Sequence, residues 1–196
     1  MLVDARGDPL KASTLTPRTN YVFHYPFAST PCFLLNLGKP VTAPVTLTRE
    51  DGASYAWDGG VGPGRAIVAF SAICAHQLAY PTRDVSFIRY QPQPSPKSEG
   101  NVIHCCAEHS VYDPARGAQV VSGPAPQPLA AILLEYDPRE DRLHALGTVG
   151  AEQFERFFGK YDFKLTMEYG AKARRPVGDS TIVRELNQYC RNTIQC

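Results

Sequence analysis

An antiparallel all-β fold is what this sequence predicts, and three observations predict it. Short runs rich in aromatic and branched residues recur, Gly and Pro punctuate their ends, and helix signals are scarce before residue 150. Tyr21-Val22-Phe23-His24-Tyr25 and Cys32-Phe33-Leu34-Leu35-Asn36-Leu37 are the first two strands, bounded by Pro26, Pro31 and Gly38. Val45 to Thr48 and Ala66 to Phe70 continue the pattern, with the glycine-rich run Gly59 to Gly64 as a loop between them. Val85 to Tyr90 and Asn101 to Cys105 read as a hairpin inserted at 81–100, whose alternating prolines at 92, 94 and 96 predict an extended, solvated tip. Such an insertion suits a partner-docking prong or a tolerated surface loop. Ala130 to Tyr136 and Arg142 to Leu146 form a strand, turn, strand unit that closes the sheet. Past Ala151 the composition shifts, and Glu152 to Phe158 reads as a short helix, Phe163 to Tyr169 as a strand, and Ser180 to Tyr189 as a helix with Ser180 as N-cap. The expected organisation is a polar N-terminal arm at 1–20, a β domain at 21–150 and a mixed C-terminal extension at 151–196.

The totals exclude several classes of function. A chain of 196 residues supports one good core. With 20 Lys and Arg against 19 Asp and Glu and no basic run, nothing resembles a nucleic-acid footprint. The longest nearly apolar run, Ala66 to Ala75, is broken by Ser71 and falls well short of the roughly 20 residues that a bilayer-spanning helix needs. The start, Met1-Leu2-Val3-Asp4-Ala5-Arg6, lacks the charged and then apolar build of a secretory signal. Six cysteines are too few for a disulfide scaffold at this size.

The chemistry-bearing stretch runs from 71 to 129. Cys74-Ala75-His76 and Cys106-Ala107-Glu108-His109 supply two thiols and two imidazoles as a C-x-H and C-x-x-H pair. That set suits zinc or an iron-sulfur cluster equally well by ligand type. Ser110 and Tyr112 follow the last ligand, and Gly123-Pro124-Ala125-Pro126-Gln127-Pro128-Leu129 comes next. In this order the motifs resemble those of the Rieske iron-sulfur proteins, which hold a 2Fe-2S cluster through two cysteines on one iron and two histidines on the other.

The resemblance implies a Rieske-type antiparallel β fold with a small cluster-binding subdomain. It implies Cys74, His76, Cys106 and His109 as iron ligands, hydroxyl donors to sulfur from Ser110 and Tyr112, and a lid formed by Gly123, Pro124, Ala125 and Pro126. Three prolines in the lid run fix φ and lower the entropy lost on ordering. The implied function is one-electron transfer between a catalytic oxidoreductase subunit and a cytochrome-type acceptor, with no nucleic-acid partner and no membrane span in the chain. The implied location is the periplasm or the outer face of the cytoplasmic membrane.

Within this family, quinol-oxidising members carry a second Cys in each cluster loop, paired as a disulfide. Here the corresponding positions are Ala79 and either Glu108 or Ala107. A Leu commonly follows their first ligand His, where this chain has Gln77. The runs Tyr25-Pro26 through Thr30-Pro31-Cys32, Val61-Gly62-Pro63, Ile67 to Phe70 and Leu133 to Asp137 are similar to the small subunit of arsenite oxidase, over about residues 21 to 150. The rival readings are the Rieske subunit of a quinol-cytochrome c reductase with its anchor removed and, from another class, a zinc-binding interaction module. A Rieske oxygenase does not fit, because no His/His/Asp set for a mononuclear iron is visible.

The register of the second motif has two versions. Counted backwards without a gap from Tyr112-Asp113, the ligand Cys falls on Cys105 and the His position on Glu108. Aligned by the motif itself, Cys106 and His109 are the ligands and one residue is missing before Ser110. The motif alignment is the expectation, because a carboxylate is a poor replacement for a neutral imidazole. Cys32 reads as a core thiol, Cys190 and Cys196 as a small terminal disulfide or free thiols, and His24, His104 and His144 as structural.

Overall fold

The computed structural model covers residues 1–196. Its main sheet has six strands in the spatial order Arg142–Val149, Ala131–Asp137, Ile67–Ser71, Pro31–Asn36, Tyr21–His24 and Arg184–Glu185, each antiparallel to its neighbour. A second, four-stranded antiparallel sheet runs Gln119–Ser122, Ser110–Asp113, Val102–Cys105, Ile88–Gln91. The hairpin Val45–Thr48 with Ser54–Trp57 stands apart from both. The predicted antiparallel β architecture is therefore present, and most predicted strands before residue 150 recur to within a residue or two; Arg142–Val149 runs three residues past Leu146, and the strand predicted at Val85 to Tyr90 is split into Val85–Ser86 and Ile88–Gln91, which pair in different sheets.

The two central strands, Pro31–Asn36 and Ile67–Ser71, are apolar on both faces, and the alternation of side chains sorts them into two cores. Phe33, Leu35, Val68 and Phe70 face the four-stranded sheet and join Ile88, Ile103, Cys105 and Tyr112 in the larger core. Cys32, Leu34, Ile67 and Ala69 point the other way. Something must cover that second face, and residues near the start of the chain do so: Leu2, Ala12 and Leu15 are buried there. The expected polar arm is thus a packed segment, with Leu2 and Leu15 each contributing about 1.5–3 kcal/mol of apolar burial. Its Leu2–Val3 strand pairs in parallel with Thr181–Ile182.

The C-terminal part departs from expectation in two places. Phe154–Tyr169, α1, is helical on both sides of a kink at Tyr161 (φ −113°, ψ 15°), where the sequence predicts a helix ending near Phe158 and a strand at Phe163 to Tyr169. Apolar residues at 163, 165, 167 and 169 have strand period, yet Leu165 is buried while Phe163 and Met167 are exposed. Phe154, Phe157 and Phe158 pack on Ile73, Leu78 and Tyr80, and a helix so anchored extends at little cost per residue. Ser180 caps nothing: Thr181–Ile182 and Arg184–Glu185 are strands, and only Leu186–Tyr189, α2, is helical. The open edge at Tyr21–Val22 captures Arg184–Glu185, because an unpaired strand edge takes any chain that can ladder onto it.

His24 joins this extension to the sheet, lying between the Tyr169 and Tyr189 rings with its Nε2 3.4 Å from both hydroxyls. Burial, helped by Arg184 and Arg83, pushes its pKa down to about 4. The folded state therefore keeps His24 neutral, whereas the unfolded chain takes up a proton from pH 6.5 downward. Stability should fall between about pH 6.5 and 4, by roughly 2–3 kcal/mol, and level off below. Urea titrations across that range check this, and His24→Gln should flatten the profile.

Candidate metal centre

Two loops meet at the edge of the larger core. The first, Cys74 to Leu78, follows the strand Ile67–Ser71 and closes through Leu78 N–H to the Cys74 carbonyl (3.0 Å) and Cys74 N–H to the Ala79 carbonyl (2.8 Å). The second joins Val102–Cys105 to Ser110–Asp113, with Cys105 and Ser110 as the last paired residues. The loops share one plan. The backbone two and three residues on favours the thiolate at each cysteine: that of His76 and Gln77 at Cys74, that of Ala107 and Glu108 at Cys105. Four residues after each cysteine the chain turns through a left-handed residue, Leu78 (φ 60°) and His109 (φ 59°).

Cys74 and Cys105 are both buried in the larger core, near enough for the ionisation of one to act on the other. That effect of Cys105, aided by Tyr112 and the loop backbone, outweighs burial and pulls the Cys74 thiol down to about 6, while Cys74 in turn pushes Cys105 up. One thiolate is thus favoured in the pair, and two thiolates would need a cation between them. The Tyr112 hydroxyl is 3.3 Å from the Cys74 sulfur and accepts the Ala75 N–H at 3.0 Å. With its oxygen so occupied, its own proton is left for the sulfur.

At the rim, His76 Nδ1 lies 3.2 Å from Glu108 Oε2, both side chains partly exposed. The two are not aligned as a hydrogen bond, and His76 Nδ1 has no hydrogen-bond partner.

The remaining expected ligands lie elsewhere. Cys106 is joined in a disulfide to Cys196, so the thiolate expected there is not available to a metal. This corrects the assignment of Cys106; of the terminal cysteines, Cys190 is a free, buried thiol and Cys196 is the one bridged. The physical reason is alternation: adjacent residues of an extended chain point to opposite sides, so only one of Cys105 and Cys106 can reach Cys74. His109 is engaged elsewhere, its Nδ1 3.4 Å from His104 Nε2. Donor atoms of His104, His109 and Cys196 lie within 4.8 Å of one another, a group separate from the thiol pair. The residue that the motif alignment treats as missing before Ser110 is His109 itself, which the loop uses as its left-handed turn. Backward counting from Tyr112 is the sequence signal that finds Cys105 and Glu108.

The proline run lies against the second loop. A Cβ at Gly123 (φ 90°) would stand 2.7 Å from the Ser110 Cα, so only glycine lets the lid lie this close to the second loop. Ala125 packs against the larger core, which contains Cys74 and Cys105. The C-terminal extension holds both loops from outside. Gln153 Nε2 donates to the Ala75 carbonyl (3.0 Å) and Lys160 Nζ to the Gln77 carbonyl (2.6 Å), gripping the first loop. The tail grips the second through Cys196, while Asn192–Thr193 pairs with Val85–Ser86.

Two β-hung loops that bring two buried thiols into one core and set an imidazole beside a carboxylate at the rim make a candidate metal-binding β domain. Among solved structures, the soluble domain of the Rieske protein II (soxF) from Sulfolobus acidocaldarius matches at 30% identity and a TM-score of 0.51, covering 69% of this chain and 73% of that one. No family model matches the chain. The chain belongs to the Rieske protein family, and its cofactor is the 2Fe-2S cluster of that family. Two features of the site suit such a group: paired thiols in which burial opposes charge, and the Ser110 hydroxyl, buried beside Cys105 with no hydrogen-bond partner of its own.

Tyr112→Phe should lower the reduction potential by about 40 mV, the one-electron equivalent of roughly 1 kcal/mol for a lost donor to sulfur. Protein-film voltammetry checks this, and an unchanged potential would show that the hydroxyl serves only Ala75.

Proposed function

We propose that this chain carries single electrons through its 2Fe-2S cluster, as the small subunit or mobile carrier of a respiratory-type oxidoreductase. A catalytic subunit is the donor side and a cytochrome-type protein the acceptor side. The observation that carries this reading is the buried Cys74 and Cys105 pair under the Tyr112 hydroxyl, which suits one iron, with His76 at the exposed rim for the other. When bound, the cluster supplies a one-electron couple, and mixed imidazole ligation raises such couples to about −150 to +300 mV. The protein's own part is to exclude water from the thiols, aim donors at sulfur and leave the imidazole rim near the surface.

Within that class, the runs at Tyr25 to Cys32, Ile67 to Phe70 and Leu133 to Asp137 support a relative of the arsenite oxidase small subunit. Gln77, and a disulfide that does not link the two cluster loops to each other, weigh against the quinol-oxidising subunit. No helix is long and apolar enough to cross a membrane. The Cys106 to Cys196 bridge supports an oxidising compartment, such as the periplasm or the outer membrane face.

The test is composition and spectrum. The purified protein should contain two irons and two acid-labile sulfides and, reduced with dithionite, give a rhombic paramagnetic signal. Colourless protein with stoichiometric zinc would replace this reading with a zinc-bound interaction module.

A further inference from the structure

We infer that Glu108 is the fourth protein ligand of the cluster, so that a carboxylate oxygen stands opposite His76 where the family has a second imidazole. This deepens the electron-carrier reading and rests on it. The common plan of the two loops sets the register: left-handed residues four positions on, Leu78 and His109, and burial in the same core make Cys105 the counterpart of Cys74, while Cys106 is bridged to Cys196. With the register so set, the residue that the second loop returns to the rim is Glu108. Its Oε2 lies 3.2 Å from His76 Nδ1. Nitrogen and oxygen ligands held at about 2.0–2.2 Å around one tetrahedral metal lie roughly 3.3–3.5 Å apart, close to the observed separation.

A plain ion pair is the competing account. It would set an imidazole N–H on the carboxylate, yet His76 Nδ1 has no hydrogen-bond partner, so the two atoms converge without bonding each other. A partly exposed His and Glu pair would also add little stability, and it would not explain why the two atoms approach from the two cysteine-bearing loops. The alternative imidazole is out of position, since His109 is spent as the turn residue and faces His104.

A carboxylate is anionic where imidazole is neutral, and it favours the ferric over the ferrous state. The potential of this cluster should therefore lie below that of its own Glu108→His variant. Hyperfine spectroscopy of the reduced protein counts coordinated imidazoles directly. The expected result is one strongly coupled imidazole nitrogen in the native protein, unchanged in His109→Gly, a substitution that suits φ 59°. Glu108→Ala should retain at least about tenfold less iron, and Glu108→His should restore it with two coupled nitrogens and a raised potential. Two nitrogens in the native protein, one of them lost in His109→Gly, would overturn the assignment while leaving the electron-carrier reading intact. Failure to find a cluster in either the native protein or Glu108→His would overturn both.

Discussion

Cys105→Ser should lose the cluster, while Cys106→Ser should keep it. Cys105 is buried in the same core as Cys74, and the loop backbone favours its thiolate, so a serine there removes the thiolate without offering iron a comparable donor. Cys106 is one residue on, but its sulfur is bound to Cys196. Iron and labile sulfide after gel filtration separate the two variants: near zero for Cys105→Ser, near native for Cys106→Ser. The reverse pattern would put the ligand at Cys106 and require the second loop to shift by one residue.

Cys196→Ser should destabilise the protein by about 3–5 kcal/mol, because the bridge closes a loop across a sequence separation of 90 residues. Guanidinium unfolding under non-reducing conditions measures it, and a phosphine reductant should lower native stability to the level of the variant while leaving the variant unchanged. The cluster's lifetime should shorten in the same treatment, since the second loop then loses its covalent hold. A reductant without effect on either quantity would mean that the bridge is not formed in the folded protein.

Much of the β scaffold is legible because aromatic and branched runs between Gly and Pro specify strands locally. Two-sidedness of the central strands is also in the sequence: Phe33, Leu34 and Leu35 are consecutive and all apolar. What covers each face is not, because Leu15 stands alone among polar residues, Leu2 lies in a run too short to show a period, and both are chosen by distant partners. Phe163 to Tyr169 has a strand-like alternation that helix packing overrides from Phe154 onward. At the candidate metal centre the motif order points to Cys74 and Tyr112, which the fold brings into contact, and to His76 at the rim. The second ligand pair is not legible in this way, because Cys105-Cys106 and Glu108-His109 each offer two neighbouring donors. Turn geometry decides between them, through a non-glycine residue at positive φ that no spacing rule marks.

Neighbouring thiols with opposite fates make the order of maturation matter. Either sulfur of Cys105 and Cys106 could, in an open chain, pair with Cys196, and only one of the products leaves a place for iron. Folding sorts them before any oxidant acts: Cys105 is shut beneath the first loop, while Cys106 stays partly exposed beside the tail. Oxidation after folding should therefore yield protein still competent to take up iron, whereas oxidation of the denatured chain should trap a fraction that never can.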